Sequence, residues 1–239
     1  MFQRVILPFF LAVSLLAAIA MYFAGENNAE KKTTGTIVPP TIVLDAGHGG
    51  EDGGAVSQSG ILEKEINLSI AKRLEALLTA NGFRVVMTRT EDELLYDKNT
   101  DYQGRKKSLD LAARRKIAEE TPNCIFVSIH MNSYPDARYN GLQVWYSPNN
   151  PSSKVIADTI QETIKTNLQP ENDRKTKAAT SAIYLLHHLT VPSVLVECGF
   201  LSNSEEAEKL NTPEYQEQLA LVLSLAIGNA CKNPSIANQ

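Results

Sequence analysis

The apolar and polar positions of the chain follow three rhythms: one unbroken apolar run, several short strand-like runs, and longer stretches of helical period. Val5–Ala24 is an uncharged, mostly apolar run of 20 residues that includes Pro8 and Ser14. As a helix rising about 1.5 Å per residue it would be roughly 30 Å long, the thickness of a bilayer's hydrocarbon core. A run this long, starting at residue 5, disfavours a buried core helix. Ala18-Ile19-Ala20 would serve as a small-x-small cleavage site, but the run exceeds the usual signal-peptide core of about 7–15 residues. Residues 1–24 therefore read as a transmembrane anchor with a cytoplasmic N-terminus, a cleaved signal peptide being the alternative; either exports the body. Residues 25–40 are polar, lack apolar periodicity and close with Pro39-Pro40, as in a tether that lifts a domain off a membrane.

Thr41–Asp45 (TIVLD) is a short β-branched run that stops at the glycine cluster AGHGGEDGG, the pattern of a buried strand feeding a loop. Glu65–Ala80 spaces Ile66, Ile70, Leu74, Leu77 and Leu78 as an amphipathic helix ended by Asn81-Gly82. Arg84–Thr88 reads as a strand, and Thr90–Lys107 as a long polar surface loop of the kind that often acts as a lid. Ser108–Glu119 reads as a helix with Leu109, Ala112, Ala113 and Ile117 inward, and Cys124–Ile129 as an apolar strand ending at His130. Gly141–Tyr146, Ile183–Leu186 and Ser193–Cys198 read as further strands. Ser152–Asn167 reads as a helix capped by Ser152 or Ser153, and Pro213–Ala230 as a last helix with Leu219, Val222, Leu223 and Ala226 buried. Apolar strands alternating with helices predict an α/β fold, a mostly parallel twisted sheet of about six strands covered on both faces. With no internal repeat, residues 41–232 read as one domain and 233–239 as a frayed tail.

Composition narrows the function. The chain has 239 residues, 43% of them hydrophobic and 21% charged, which excludes a wholly disordered protein. Its net charge is −4; residues 1–38 carry +1, leaving −5 on the remainder. A mildly acidic body without a basic stripe excludes nucleic acid as the main ligand. Cys124, Cys198 and Cys231 cannot pair completely and show no CxxC spacing, so Cys124 and Cys198 read as small buried hydrophobes.

In open α/β sheets, ligands gather beyond the carboxyl ends of the strands. His48 follows the first strand, His130 follows Ile129, Glu197 closes Ser193–Cys198, and Glu63 lies where the glycine loop turns into a helix. Two histidines and two carboxylates converging there suit a hydrolytic zinc site, with three ligands, a position left for water and a carboxylate to move its proton. Spacing alone leaves blander readings open, since there is no HExxH motif. His48 would then be a loop histidine, His130 a satisfied strand end, and Glu63 a helix-start acid favoured by the dipole. Glu197, inside VLVECGFL, is hardest to dismiss, because burial costs a carboxylate unless it is paired or metal-linked.

LDAGHGGEDGGAV, LEKEINLSIAKRL, VVMTR, FVSIHMNS and VLVECGFLSN, in this order, resemble the zinc-dependent N-acetylmuramoyl-L-alanine amidases of bacterial cell-wall metabolism. The likeness spans about Thr41 to Leu225. It implies Zn2+ held by His48, Glu63 (rather than Glu65) and His130, with Glu197 as the catalytic acid–base. Asn132 and Arg114 fall on recurrent family positions as substrate-binding or supporting contacts, and Ala46 stands where the family often has proline. His187 and His188 match no ligand position. The DELLYDKNTDYQGR insertion and the IYLLHHLTVPSVLVECGFLSN end further resemble the amidases that modify spore cortex. The implied partners are peptidoglycan glycan strands and stem peptides, the membrane through the N-terminal helix, and an activating protein. A vegetative-wall amidase, a peptidase cutting within the stem peptide, and a non-catalytic peptidoglycan-binding module are the alternatives.

Overall fold

The computed structural model describes residues 39–97, 99 and 101–237. The expected anchor and most of the tether lie outside them; no helix among the described residues is long and apolar enough to cross a membrane. Val38–Gln239 clusters as one compact unit.

Its centre is a six-stranded sheet in the order β2-β1-β3-β6-β4-β5. The strands are β1 (Thr41–Ala46), β2 (Val85–Met87), β3 (Cys124–Asn132), β4 (Gln143–Tyr146), β5 (Lys177–Ala178) and β6 (Ser193–Phe200). β2, β1, β3 and β6 are parallel, whereas β4 runs antiparallel to β6, with β5 parallel to β4. The helices are α1 (Glu63–Ala80), α2 (Lys106–Glu120), α3 (Pro151–Asn167), α4 (Tyr184–His188), α5 (Ser204–Leu210), α6 (Pro213–Cys231) and α7 (Pro234–Ala237).

Side chains alternate across each strand, and that period of two divides the core. Ile42, Leu44, Ile125, Val127, Val194 and Val196 face a large core shared with α1, α3 and α6. Val43, Phe126 and Leu195 face a smaller core shared with α2 and α4. Asp45, Ser128, His130 and Glu197 continue this second series toward the carboxyl ends of their strands, where apolar gives way to polar.

The expected α/β sheet, covered on both faces, is thus observed, with local differences. Ile183–Leu186 is not a strand: Tyr184–His188 forms one short helix that buries Leu185 and Leu186, and the strand that brings the sheet to six is β5, Lys177–Ala178. Short apolar runs do not distinguish the two periods. Asn150, not Ser152 or Ser153, caps α3 by accepting from Ser152 N, and Pro151 opens the helix. The expected loop ends earlier than its pattern implies, since α2 begins at Lys106. α2 differs in part from its expected orientation: Ile117 packs against the smaller core as expected, but the helix buries Asp110, Arg114 and Ala118 most deeply, while Ala112 is exposed. A buried ion pair escapes hydrophobic periodicity.

Candidate metal and active site

The glycine-rich loop after β1 turns back so sharply that His48 adopts φ +61°, a left-handed conformation costly for a residue with a Cβ. Arg114 holds it there. It is 1% exposed, and its guanidinium donates to the carbonyls of Ala46 and His48, both at 2.7 Å, and to the Asp45 and Asp110 carboxylates at 2.7 Å. Asp45 also accepts from Thr88 and Ser128, so side chains from α2, β3 and the residue after β2 converge on one buried carboxylate. Arg89 adds donors to Ala46 O, Gly47 O and Lys64 O.

This frame brings together three of the expected residues. Glu63, in the first turn of α1, is buried, whereas Glu65 is exposed and points elsewhere. Glu63 Oε1 lies 2.8 Å from His130 Nδ1 and Oε2 lies 3.3 Å from His48 Nε2, with the two rings edge to face at 4.9 Å. Among the described residues, His48, Glu63 and His130 form a cluster of metal-type donors whose ligand atoms all lie within 4.8 Å of one another. Burial would raise the Glu63 pKa, but the hydrogen bonds from His130 and His48 hold its carboxyl well below the usual range. Burial disfavours charge on His48 too, yet Glu63 and Asp52 raise its pKa overall.

Glu197 completes the group. It pairs directly with His130 across β3 and β6, and its buried Oε2 has no hydrogen-bond partner. Burial pushes its carboxyl up to about 7, opposed by His130 and assisted by Glu63. Two imidazoles and a carboxylate are borderline donors that suit Zn2+ and leave room for a further oxygen ligand. The unsatisfied Glu197 oxygen beside them is what a proton-transfer base needs, so the residues fit a hydrolytic metal site. A cavity of ≈ 210 Å³ opens beside His48 and His130, walled by Leu111, Ile183, Tyr184 and Leu195.

The two positions expected to meet substrate differ. Asn132 ends β3, half-buried, just past the irregularity that follows His130. Arg114 spends its donors on the protein, a geometry that fits bracing rather than meeting substrate. His187 and His188 are exposed on α4, and Cys124 and Cys198 are buried in strands, as expected.

Several supporting residues went unseen in the sequence. Asp52 Oδ2 stands 2.9 Å from His48 Nδ1, an ion-pair contact on the side of the ring away from Nε2 and Glu63. Asn67 donates to Glu63 Oε1 at 3.2 Å and to Gly47 O at 3.1 Å. Its place one helical turn after Glu63 was the available signal. The backbone amides of Ala55 and Met131 donate to the two Glu63 oxygens.

Residues 42–229 match the N-acetylmuramoyl-L-alanine amidase family, and the chain belongs to it. Among its relatives, the germination-specific N-acetylmuramoyl-L-alanine amidase of Bacillus subtilis (strain 168) is 35% identical over 90% of this chain and 89% of its own. LytC, an N-acetylmuramoyl-L-alanine amidase of the same organism, is 36% identical over 77% of this chain, which spans 34% of LytC. The CwlD amidase of Clostridioides difficile, solved in complex with the GerS lipoprotein, superposes with a TM-score of 0.75 and 38% identity over 80% of this chain and 98% of CwlD.

Proposed function

We propose that this amidase is a zinc enzyme that cuts the amide between the lactyl group of N-acetylmuramic acid and L-alanine in spore-cortex peptidoglycan. The observation carrying this reading is the convergence of His48, Glu63 and His130 opposite a Glu197 oxygen that nothing else satisfies. His48, Glu63 and His130 would hold the metal, which when bound supplies Lewis acidity to the scissile carbonyl and lowers the pKa of water towards about 7.

The proton traffic belongs to Glu197. As water adds to the carbonyl carbon, Glu197 takes one of its protons. It then delivers that proton to the alanine nitrogen as the C–N bond breaks, leaving a lactyl carboxylate and a free amine. Asn67 keeps Glu63 oriented meanwhile, and the carbonyls tied to Arg114 keep the loop that carries His48 from relaxing.

The cortex assignment is supported by the germination-specific relative, of which this chain covers 89%. A wall amidase acts outside the cytoplasm, in keeping with the apolar N-terminal run. The partner seen with the CwlD amidase supports a protein partner here as well. Zinc content by elemental mass spectrometry, with peptide release from peptidoglycan followed by mass spectrometry, tests the chemistry. Fragments cut within the stem peptide, or release unaffected by removing zinc, would refute it. For the cortex role, loss of the gene is expected to remove muramic-δ-lactam from spore cortex.

A further inference from the structure

The connection between β3 and β4 carries two exposed tyrosines, Tyr134 (52% exposed) and Tyr139 (44%), whose rings meet edge to face with centroids 4.8 Å apart. The Arg174 guanidinium lies 4.4 Å from the centre of the buried Phe200 ring and 5.3 Å from that of Tyr139, tying the exposed rings to β6. The connection is pinned along its length. Tyr134 N donates to Ser202 Oγ at 3.0 Å, and Asn203 Nδ2 to Ala137 O at 2.9 Å. Arg174 Nε donates to Asn140 O at 2.7 Å, and Gly141 N to Glu206 Oε1 at 2.8 Å. Exposed rings on a braced loop form a contact surface whose ordering cost is met before anything binds.

This ledge adjoins the reacting centre. Gln143 sits opposite Glu197 across β4 and β6, and Arg174 Nη1 approaches Gln143 Oε1 at 3.5 Å. A line of neighbours thus runs from Glu197 through Gln143 and Arg174 to Tyr139 and Tyr134. The ledge shares no lining residue with the cavity beside His48 and His130.

We propose that Tyr134 and Tyr139 form a glycan subsite, stacking on sugar rings of the peptidoglycan strand next to the muramic acid being cleaved. The proposal rests on the amidase reading, which places a polymer of pyranose rings across the strand ends. A pyranose offers an apolar C–H face edged by hydroxyls, and tyrosine offers an apolar ring face with a polar tip. The bordering Asp136–Arg138 ion pair, 2.7 Å apart, and the exposed Asn140 edge the rings with polar groups that suit those hydroxyls. A protein partner would need about 800 Å² on each side, far more than two rings in a polar surround provide.

The test uses the full chain with Tyr134 and Tyr139 both changed to alanine, beside Tyr134→Ala alone and the double Tyr→Phe variant. Retention on peptide-stripped glycan strands is expected to weaken about tenfold in the double alanine variant, the factor given by about 1.4 kcal/mol of lost stacking. KM for intact sacculi should rise by a similar factor with kcat kept. The preference for sacculi over a soluble single-unit muramyl peptide should shrink in proportion. Phenylalanine should restore most of the effect, since the ring face is kept. Thermal unfolding checks the fold; if the double variant fails to fold, Tyr134→Ala carries the test at the more exposed position. Unchanged retention and KM would overturn the subsite, as would an equal loss on the soluble substrate. A self-association of the wild type that disappears in the variant would instead mark a contact between copies and also overturn it. Failure of the wild type to release peptides would sink the amidase reading, while retention on stripped glycan would still report on the tyrosines.

Discussion

His130 and Glu197 occupy one rung of the sheet, side by side on β3 and β6, so an imidazole aimed at Glu63 neighbours a carboxylate oxygen with no hydrogen-bond partner. If Glu197 moves the proton while His130 helps hold the metal, the two roles separate by mutation. Glu197→Gln keeps the shape of the side chain and removes the base. Turnover should fall by about 10²–10⁴-fold with zinc content unchanged. His130→Ala should lose both. A Glu197→Gln enzyme turning over at the wild-type rate would take Glu197 out of the reaction.

The glycine loop packs so tightly on the donors that a single methyl reaches them. A Cβ on Gly54, whose φ is +69°, would lie 2.5 Å from Glu63 Oε2 and 2.8 Å from His48 Cδ2. One on Gly47 would lie 2.2 Å from His130 Nε2. Both alanine variants should therefore displace donors. Zinc affinity is expected to drop about 10–100-fold, the range for disturbed ligand support, as measured by competition with a chromophoric chelator. Wild-type affinity in both would mean these three side chains do not hold the ion.

What the sequence disclosed and what it hid follow from the physics of each. β1, β3 and β6 were legible because buried parallel strands are apolar throughout, and the site residues because they interrupt that run at its carboxyl end. α1 and α6 showed their inward faces through 3.6-residue spacing. α2 concealed its own, because Asp110 and Arg114 are buried as partners and polar letters read as surface. Asp52 and Asn67 were invisible as supports because their contacts depend on how the glycine loop folds back, and glycines leave no pattern that fixes that path. Arg114 stands out in the sequence only by its family-like position, and its bracing role emerges from its four acceptors.

Those acceptors make Arg114 a stability determinant as well. Arg114→Met would leave Asp45 and Asp110 buried without their shared cation, a type of loss that costs about 3–5 kcal/mol. Arg114→Lys should recover little, because a single ammonium cannot span both carboxylates and two carbonyls as the planar guanidinium does. Urea unfolding measures the loss, and a variant within about 1 kcal/mol of wild type would contradict the bracing role.

Acid stability tests the other half of that pair. Burial would raise the Asp45 pKa, but Arg114, Ser128, His130 and Thr88 together lower it below its ordinary 3.8. A carboxyl with a depressed folded-state pKa binds its proton more readily in the unfolded chain. Its contribution to stability is therefore complete above the unfolded pKa and disappears as pH falls through the lower folded one. Asp52 and Glu63 are depressed too, so wild-type stability should decline steeply below about pH 4 through several groups at once. Asp45→Asn isolates one of them. The variant should be less stable at neutral pH, where Arg114 has lost a charged partner, and its stability should fall less steeply in acid, so that the two curves converge as pH drops. Unfolding midpoints measured across the acid range give the comparison. Curves that stay parallel through the acid range would show that Asp45 is not held below its ordinary value and that Arg114 steadies the His48 loop without it.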